Sequence, residues 1–323
     1  MSKSILVLAI LGLLLVGHLP SAVAQPSARS GHVMAYDANR QITVLFGGYD
    51  GTDYYRDTWH WNGTTWSEAQ LTGKDRPEAR SGAMMAYDAS REVIVLFGGY
   101  NGTDYLDDTW EYSGTTWSQK EPDPNDPWPH GRRQGAMAYS GSGVITLFGG
   151  VWLADHIVHW LQDTWEWDGT DWTEIVLQNK PIARSGHAMA YDSSEDVNVL
   201  FGGSTGGDET WEWNGTIWSE TCDDPNCVHP GMRHYHKLSY DSEDSLIVLF
   251  GGRVGVSYYS DTWEYDASTD TWEQQYPEHH PSGRYKHAMA YDWDNEVTVL
   301  FGGYDGDYCD DTWTYNGTDW TEE

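Results

Sequence analysis

The chain has 323 residues, with 18 Lys and Arg against 50 Asp and Glu, for a net charge of −32. A field of that sign excludes nucleic acid and anionic membrane surfaces as natural partners, because both would be repelled. Length alone would allow two domains, but an internal repeat argues for one.

The first 24 residues stand apart from that repeat. Lys3 gives a positive start, Ile5 to Val16 is an apolar run, and Ala22-Val23-Ala24 supplies small residues before Gln25. This is the pattern of a secretory signal peptide, too short in its apolar part to span a bilayer. No later stretch is apolar enough for a membrane helix. Residues 25–323 are therefore expected to be soluble and extracytoplasmic, secreted or at the cell surface or in the periplasm, after cleavage near Ala24.

The first unit after it, residues 26–70, reads as four short strands. "GHVMAY" and "ITVLF" are β-rich runs separated by polar turn residues, and "DTWHWNGTTWSE" is a hairpin around Asn62-Gly63. A two-residue turn there would set Trp59 opposite Trp66. Trp61 then lies on the same sheet face as Trp59, since strand side chains alternate with period two.

That unit recurs at about 77–121, 129–176, 181–221, 230–275 and 281–323. The second glycine of a Gly-Gly pair falls at Gly48, Gly99, Gly150, Gly203, Gly252 and Gly303, in steps of 51, 51, 53, 49 and 51 residues. The same turn arithmetic pairs Trp110 with Trp117, Trp165 with Trp172, Trp211 with Trp218 and Trp313 with Trp320. A longer fifth turn still lets Trp263 meet Trp272. A four-stranded unit with one aromatic face cannot bury that face alone, so units must stack. Six closing in a ring make an all-β, six-bladed propeller with four antiparallel strands per blade. Each blade is complete within its repeat, so the first and last blades are expected to close the ring by packing alone.

The lines "RSGHVMAYD", "VLFGG" and "DTWHW…W" resemble kelch repeats, as in the central domain of galactose oxidase, over residues 26–323. The resemblance implies the six-bladed propeller. It implies little about activity, because kelch propellers serve both as binding modules and as enzyme scaffolds.

Strand alternation places the turns within the first and last strand pairs of every blade on one face of the disc. The 2–3 and 4–1 connections lie on the other, and they vary: from the second Gly to the first Trp the distance runs from 8 to 15 residues. Variable loops on a rigid scaffold are where recognition concentrates, and the resemblance implies a ligand on this face. Arg29, Arg80, Arg132, Arg184, Arg233 and Arg284 open the first strands there. They either pair with acidic loop residues and aromatics of the scaffold, or form a basic ring for a carboxylate or acidic sugar. Tyr54, Tyr55, Tyr105, Tyr258, Tyr259, Tyr304 and Tyr308 join them. So do Trp152 and Trp160, from an insertion at 151–162 that matches no repeated position.

Catalytic signatures do not stand out. His32, His187, His236 and His287 share one repeated place, which points to a structural role. His156, His159, His279 and His280 match no zinc spacing, and no metal or other cofactor is expected. Cys222 and Cys227 suggest a local disulfide in an exported chain, leaving Cys309 over. A thioether between Tyr308 and Cys309, of the kind the resemblance would allow in a kelch copper oxidase, lacks the rest of that metal site. Asn62, Asn101, Asn214 and Asn316 head glycosylation sequons, three of them at hairpin turns that already call for Asn-Gly. The leading expectation is a monomeric module binding a glycan or protein. The alternatives are a kelch-type enzyme on an acidic sugar, of epimerase or oxidase kind, and a scaffold domain of a longer surface protein.

Overall fold

A computed structural model describes residues 24–72, 75–121, 123, 127–154, 157–205, 207–221 and 227–323. The expected signal segment, Ala24 apart, lies outside the described residues, as do Cys222 and His156.

Six sheets of four antiparallel strands follow one another in chain order, with no strand exchanged between the first and the last. Blade 1 is built from Val33–Asp37, Ile42–Phe46, Thr58–Trp61 and Trp66–Glu68, and blade 6 ends with Trp320–Glu322. The first strand of each blade lines the axis. In the first two strands consecutive residues are buried (Val44, Leu45 and Phe46, for example), because each sheet has a neighbouring blade on both faces. Val33, Ala35, Val44 and Phe46 pack on Leu96, Trp110 and Trp117 of blade 2. Met34, Leu45, Trp61 and Trp66 pack on Val299 and Phe301 of blade 6. The ring closes as expected.

One contact repeats at all six seams. The last Trp of a blade lies against a Phe of the blade before it, at ring separations of 5.0 to 5.2 Å (Phe46 with Trp117, Phe301 with Trp66). The Trp117 indole N–H donates to Thr58 Oγ1 at 3.0 Å, and at the closing seam Trp66 donates to Thr312 Oγ1 at 2.8 Å. Thr in "DTW" is therefore an acceptor for the next blade's indole.

The outer hairpin departs from its expected register. Trp61, not Trp59, faces Trp66, and Trp59 faces Glu68. Likewise Tyr112 faces Trp117, Trp167 faces Trp172, Trp213 faces Trp218, Tyr265 faces Trp272 and Tyr315 faces Trp320. The cause is the side chain of Asn62. Its Oδ1 accepts the backbone N–H groups of Thr64 and Thr65 at 3.1 and 2.9 Å, so the loop is a four-residue Asx-type turn. Asp168, Asn214 and Asn316 do the same. A shift of two residues keeps the side-chain face, so the aromatic face survives while its partners change.

The Gly-Gly pair has a geometric reason. Gly47 and Gly48 have φ of 70° and 111°, and a Cβ on Gly47 would sit 2.7 Å from the carbonyl oxygen of Arg80 in the next blade. Gly48 N–H donates to that same oxygen at 2.8 Å. Only glycine permits both.

Candidate functional site

The six arginines prove to be scaffold. Each is 0 or 1% exposed and grips a carboxylate that precedes the "TW" of its own blade: Asp57, Asp108, Asp163, Glu209, Asp261 and Asp311. Arg80 Nη1 donates to Asp108 Oδ1 at 2.5 Å and Nη2 to Oδ2 at 2.8 Å, while Nη1 also reaches Gly98 O and Nε reaches Glu78 O. Its backbone N–H donates to Tyr55 O of blade 1. A planar guanidinium with five donors suits such a clamp. The reading of a basic ring open to a ligand is corrected accordingly: these charges are buried, neutralised and unavailable. Tyr55 and Tyr259 go with them, lying 4.1 and 4.3 Å beneath Arg29 and Arg233.

A different set of cations occupies the mouth of the channel on the 2–3 and 4–1 face. Six residues just before the inner strands form a closed backbone circle. Gly31 N–H donates to Lys286 O, Lys286 to Tyr235 O, Tyr235 to Gly186 O, Gly186 to Gln134 O, Gln134 to Gly82 O and Gly82 to Gly31 O, at 2.6 to 2.9 Å. All six have positive φ, which glycine adopts freely but Gln134, Tyr235 and Lys286 (61°, 61° and 57°) do not. Strain of this kind collects at functional sites. It sets the three side chains around the mouth, where Tyr235 Oη donates to Gln134 Oε1 at 3.1 Å.

Arg133, Lys237 and Lys286 line this mouth, a cavity of about 70 Å³. Arg253 stands 4.7 Å over Tyr285 and 5.8 Å over Tyr235, and Lys286 Nζ lies 5.1 Å over Tyr235. None of the four has a carboxylate partner among the described residues, whose ion pairs are made elsewhere. Burial, together with repulsion from Arg133 and Arg253, pushes the Lys286 amine down to about 8. Unpaired cations held close together in so acidic a chain raise the local affinity for an anion.

Around the mouth runs an arc of eight tyrosines through blades 5, 6, 1 and 2: Tyr285, Tyr258, Tyr304, Tyr308, Tyr49, Tyr54, Tyr100 and Tyr105. Successive ring centroids are 4.6 to 6.3 Å apart. Arg133 stacks over its end, 4.9 Å from Tyr100 and 5.4 Å from Tyr105. Beside that end, blade 3 extends its second and third strands, Ile145–Ala154 and Ile157–Trp167, into a projecting hairpin. Trp152 is stacked between His130 and His159, at 5.2 and 4.9 Å. Trp160 is 49% exposed, beside exposed Leu153, Ile157 and Val158. Of the residues singled out in the sequence, Tyr54, Tyr105, Tyr258, Tyr304, Tyr308, Trp152 and Trp160 thus reach one surface.

The repeated histidines are structural. His32 Nε2–H donates to Phe301 O and His187 Nε2–H to Phe148 O, at 3.0 and 3.1 Å across the seams. Burial, with help from Arg29 and Arg184, holds both pKa values down near 3. His279 instead makes an exposed contact with Asp319, and no cluster of three or more metal ligands occurs among the described residues. Cys309 is unpaired, with its thiol pushed up to about 12 by burial. The expected pairing of Cys227 involves Cys222, outside the described residues.

Sequence reasoning passed over Arg133, Gln134, Tyr235, Lys237, Arg253, Tyr285 and Lys286. The signal was present as a break in the repeat. Blades 1, 2 and 4 read Ser-Gly after the clamp arginine, whereas blades 3, 5 and 6 read Arg-Gln, His-Tyr and Tyr-Lys.

Residues 16–203 and 166–322 each match the KLHDC2/KLHL20/DRC7 kelch-repeats domain. The chain belongs to the kelch-repeat family. Among curated proteins, this kelch propeller is 24% identical over 321 residues to Mei4-dependent protein 6 of Schizosaccharomyces pombe (strain 972 / ATCC 24843), an alignment covering 86% of this chain and 45% of that protein. The kelch chain thus spans under half the length of that relative.

Proposed function

We propose that this kelch propeller is an exported binding module whose 2–3 and 4–1 face receives an acidic segment of a partner protein. The observation that carries the reading is the group of four cations without carboxylate partners at the channel mouth, inside the tyrosine arc. A carboxylate-bearing segment would find guanidinium donors at the centre and aromatic anchors around them. The projecting hairpin offers Trp160 and Ile157 as an apolar contact beside the charged one. The kelch fold supports protein binding in general, and the residues before Gln25 support export. An acidic glycan would use the same cations and stack on the same rings, a second reading favoured by the half-buried tyrosine arc.

The test is a titration of labelled Glu/Asp-rich, neutral and Lys-rich peptides, each with one aromatic residue, with an array of uronic and sialylated glycans beside them. Acidic peptides should bind, weakening steeply with salt. Arg133→Ala with Arg253→Ala should lower affinity at least about tenfold, one and a half kcal/mol or so, without changing the melting temperature. Equal binding of the three peptide classes, or an unaffected double variant, would sink the proposal. Selective capture of an acidic glycan would replace it with the second reading.

A further inference from the structure

Below the mouth the channel changes character. At one repeated position the inner strands carry Val33, Met84, Ala136, Ala188, Lys237 and Ala288. Five of these are apolar, and one is a lysine flanked around the ring by the two small residues Ala188 and Ala288. Lys237 lines both the mouth and the narrow section of about 80 Å³ beneath it. No hydrogen-bond or ion-pair partner meets its ammonium among the described residues, and burial pushes its amine down to about 8. The imidazoles of His32, His187, His236 and His287 surround that level, all kept neutral.

One residue further along each strand is a ring of Met34, Met85, Met137, Met189, Leu238 and Met289, shared by the narrow section and a wider cavity of about 380 Å³. That cavity lies at the other end of the channel, on the face of the short turns, and six tyrosines from Tyr36 to Tyr291 surround it. Beneath Arg133 and Lys286 of the mouth, the channel thus sets the Lys237 ammonium at the head of a flexible apolar sleeve. A lone ammonium in an apolar surrounding is costly and demands an anion. Thioether side chains adapt to tails of varied shape.

We propose that the channel is a binding site for a small organic monoanion with an apolar tail, its carboxylate on the Lys237 ammonium and its tail within the methionine ring. The ligand enters from the wide end, because the closed backbone circle and the narrow mouth obstruct the other. Lys237 is shared with the cation group of the mouth, but the methionine-lined site beneath it lies apart from the tyrosine arc and does not depend on what that arc binds.

Octanoate, octanol and acetate serve as probes in titration calorimetry on the propeller. Octanoate should bind one to a chain. Acetate lacks the tail and octanol lacks the charge, so each should bind at least about tenfold more weakly, the equivalent of one charge-assisted contact or a few buried methylenes. Lys237→Met should lose octanoate affinity by a similar factor and keep octanol binding. The variant should fold, because Met84 holds the equivalent place in blade 2. Lys237→Ala is a second choice, since Ala136, Ala188 and Ala288 hold that place in three other blades. The Lys237 ammonium, followed by NMR, should titrate at higher pH once octanoate is present. Arg133→Ala with Arg253→Ala, aimed at the outer face, should leave octanoate affinity unchanged. No octanoate binding, or equal affinity in wild type and in both Lys237 variants, overturns the proposal.

Discussion

Whether the clamp arginines belong to the scaffold can be decided at Asp108. In Asp108→Asn the side chain keeps its shape but loses its charge, and its amide can offer only one acceptor. Arg80 then loses one of two charge-assisted bonds, now 2.5 and 2.8 Å, and the amide N–H₂ is pushed against the other guanidinium donor. Trp110 Nε1–H, which donates to Asp108 Oδ2 at 2.6 Å, competes for the remaining oxygen. Removing one partner of a fully buried ion pair costs about 3–5 kcal/mol. Asp108 itself is 17% exposed, so water softens the loss, and about 3 kcal/mol is expected. In a domain of this size that corresponds to a fall in melting temperature of roughly 5–10 °C. Asp107→Asn, one residue away and exposed, serves as the control and should stay within about 0.5 kcal/mol of wild type. Paired thermal melts and urea titrations with unchanged m-values give the measurement. If Asp108→Asn melts within 1 °C of wild type, the clamp does not hold the fold as argued. If it also abolished binding of acidic peptides, Arg80 would count among the ligand residues again.

At the outer hairpin, Trp66→Ala should destabilise by about 3 kcal/mol or more, since it empties a seam and strands Thr312, whereas Trp160→Ala should leave the melt unchanged and weaken partner binding. Acid should unfold the propeller partly through its seam histidines: between about pH 6.5 and 3 the unfolded chain takes up protons that buried His32 and His187 refuse, so stability falls as pH falls through that window. His32→Gln should accordingly gain on wild type as pH drops below about 6.5 and show no pH-dependent difference above 7; a flat difference across the whole range would refute this. Mass mapping of the protein produced under oxidising conditions should find Cys222 bonded to Cys227 and Cys309 unmodified, and a thioether between Tyr308 and Cys309 would contradict the free thiol at Cys309.

The blades were legible because each requirement of the scaffold is written six times. Gly47-Gly48, the Thr of "DTW" and the hairpin aromatics recur with near-constant spacing, and recurrence exposes what packing demands. Register was misread where two local rules compete: Asn-Gly favours a two-residue turn, but Asn62 Oδ1 captures Thr64 and Thr65 and lengthens it. Asp57 could have been matched to Arg29, since both recur in every blade with Glu209 as the one exchange, yet only the folded ring shows that they meet. The channel mouth was hidden for the opposite reason. Arg133, Tyr235, Arg253 and Lys286 are departures from the repeat, scattered over more than 150 residues, and ring closure alone brings them together. A repeat protein displays its frame in what its units share and its site in what they do not.

The backbone circle at the mouth has an electrostatic consequence. Its six hydrogen bonds run in one rotational sense, Gly31 to Lys286 to Tyr235 and onward to Gly31. Dipoles laid nose to tail around a closed loop sum to almost nothing, unlike those of a helix, which add along its axis. The circle therefore adds rigidity without adding potential. The local rise in voltage that an approaching anion meets at this opening, against the negative field of the whole chain, comes from side chains such as Arg133, Lys237, Arg253 and Lys286, so it can be dialled one residue at a time while the aperture keeps its width.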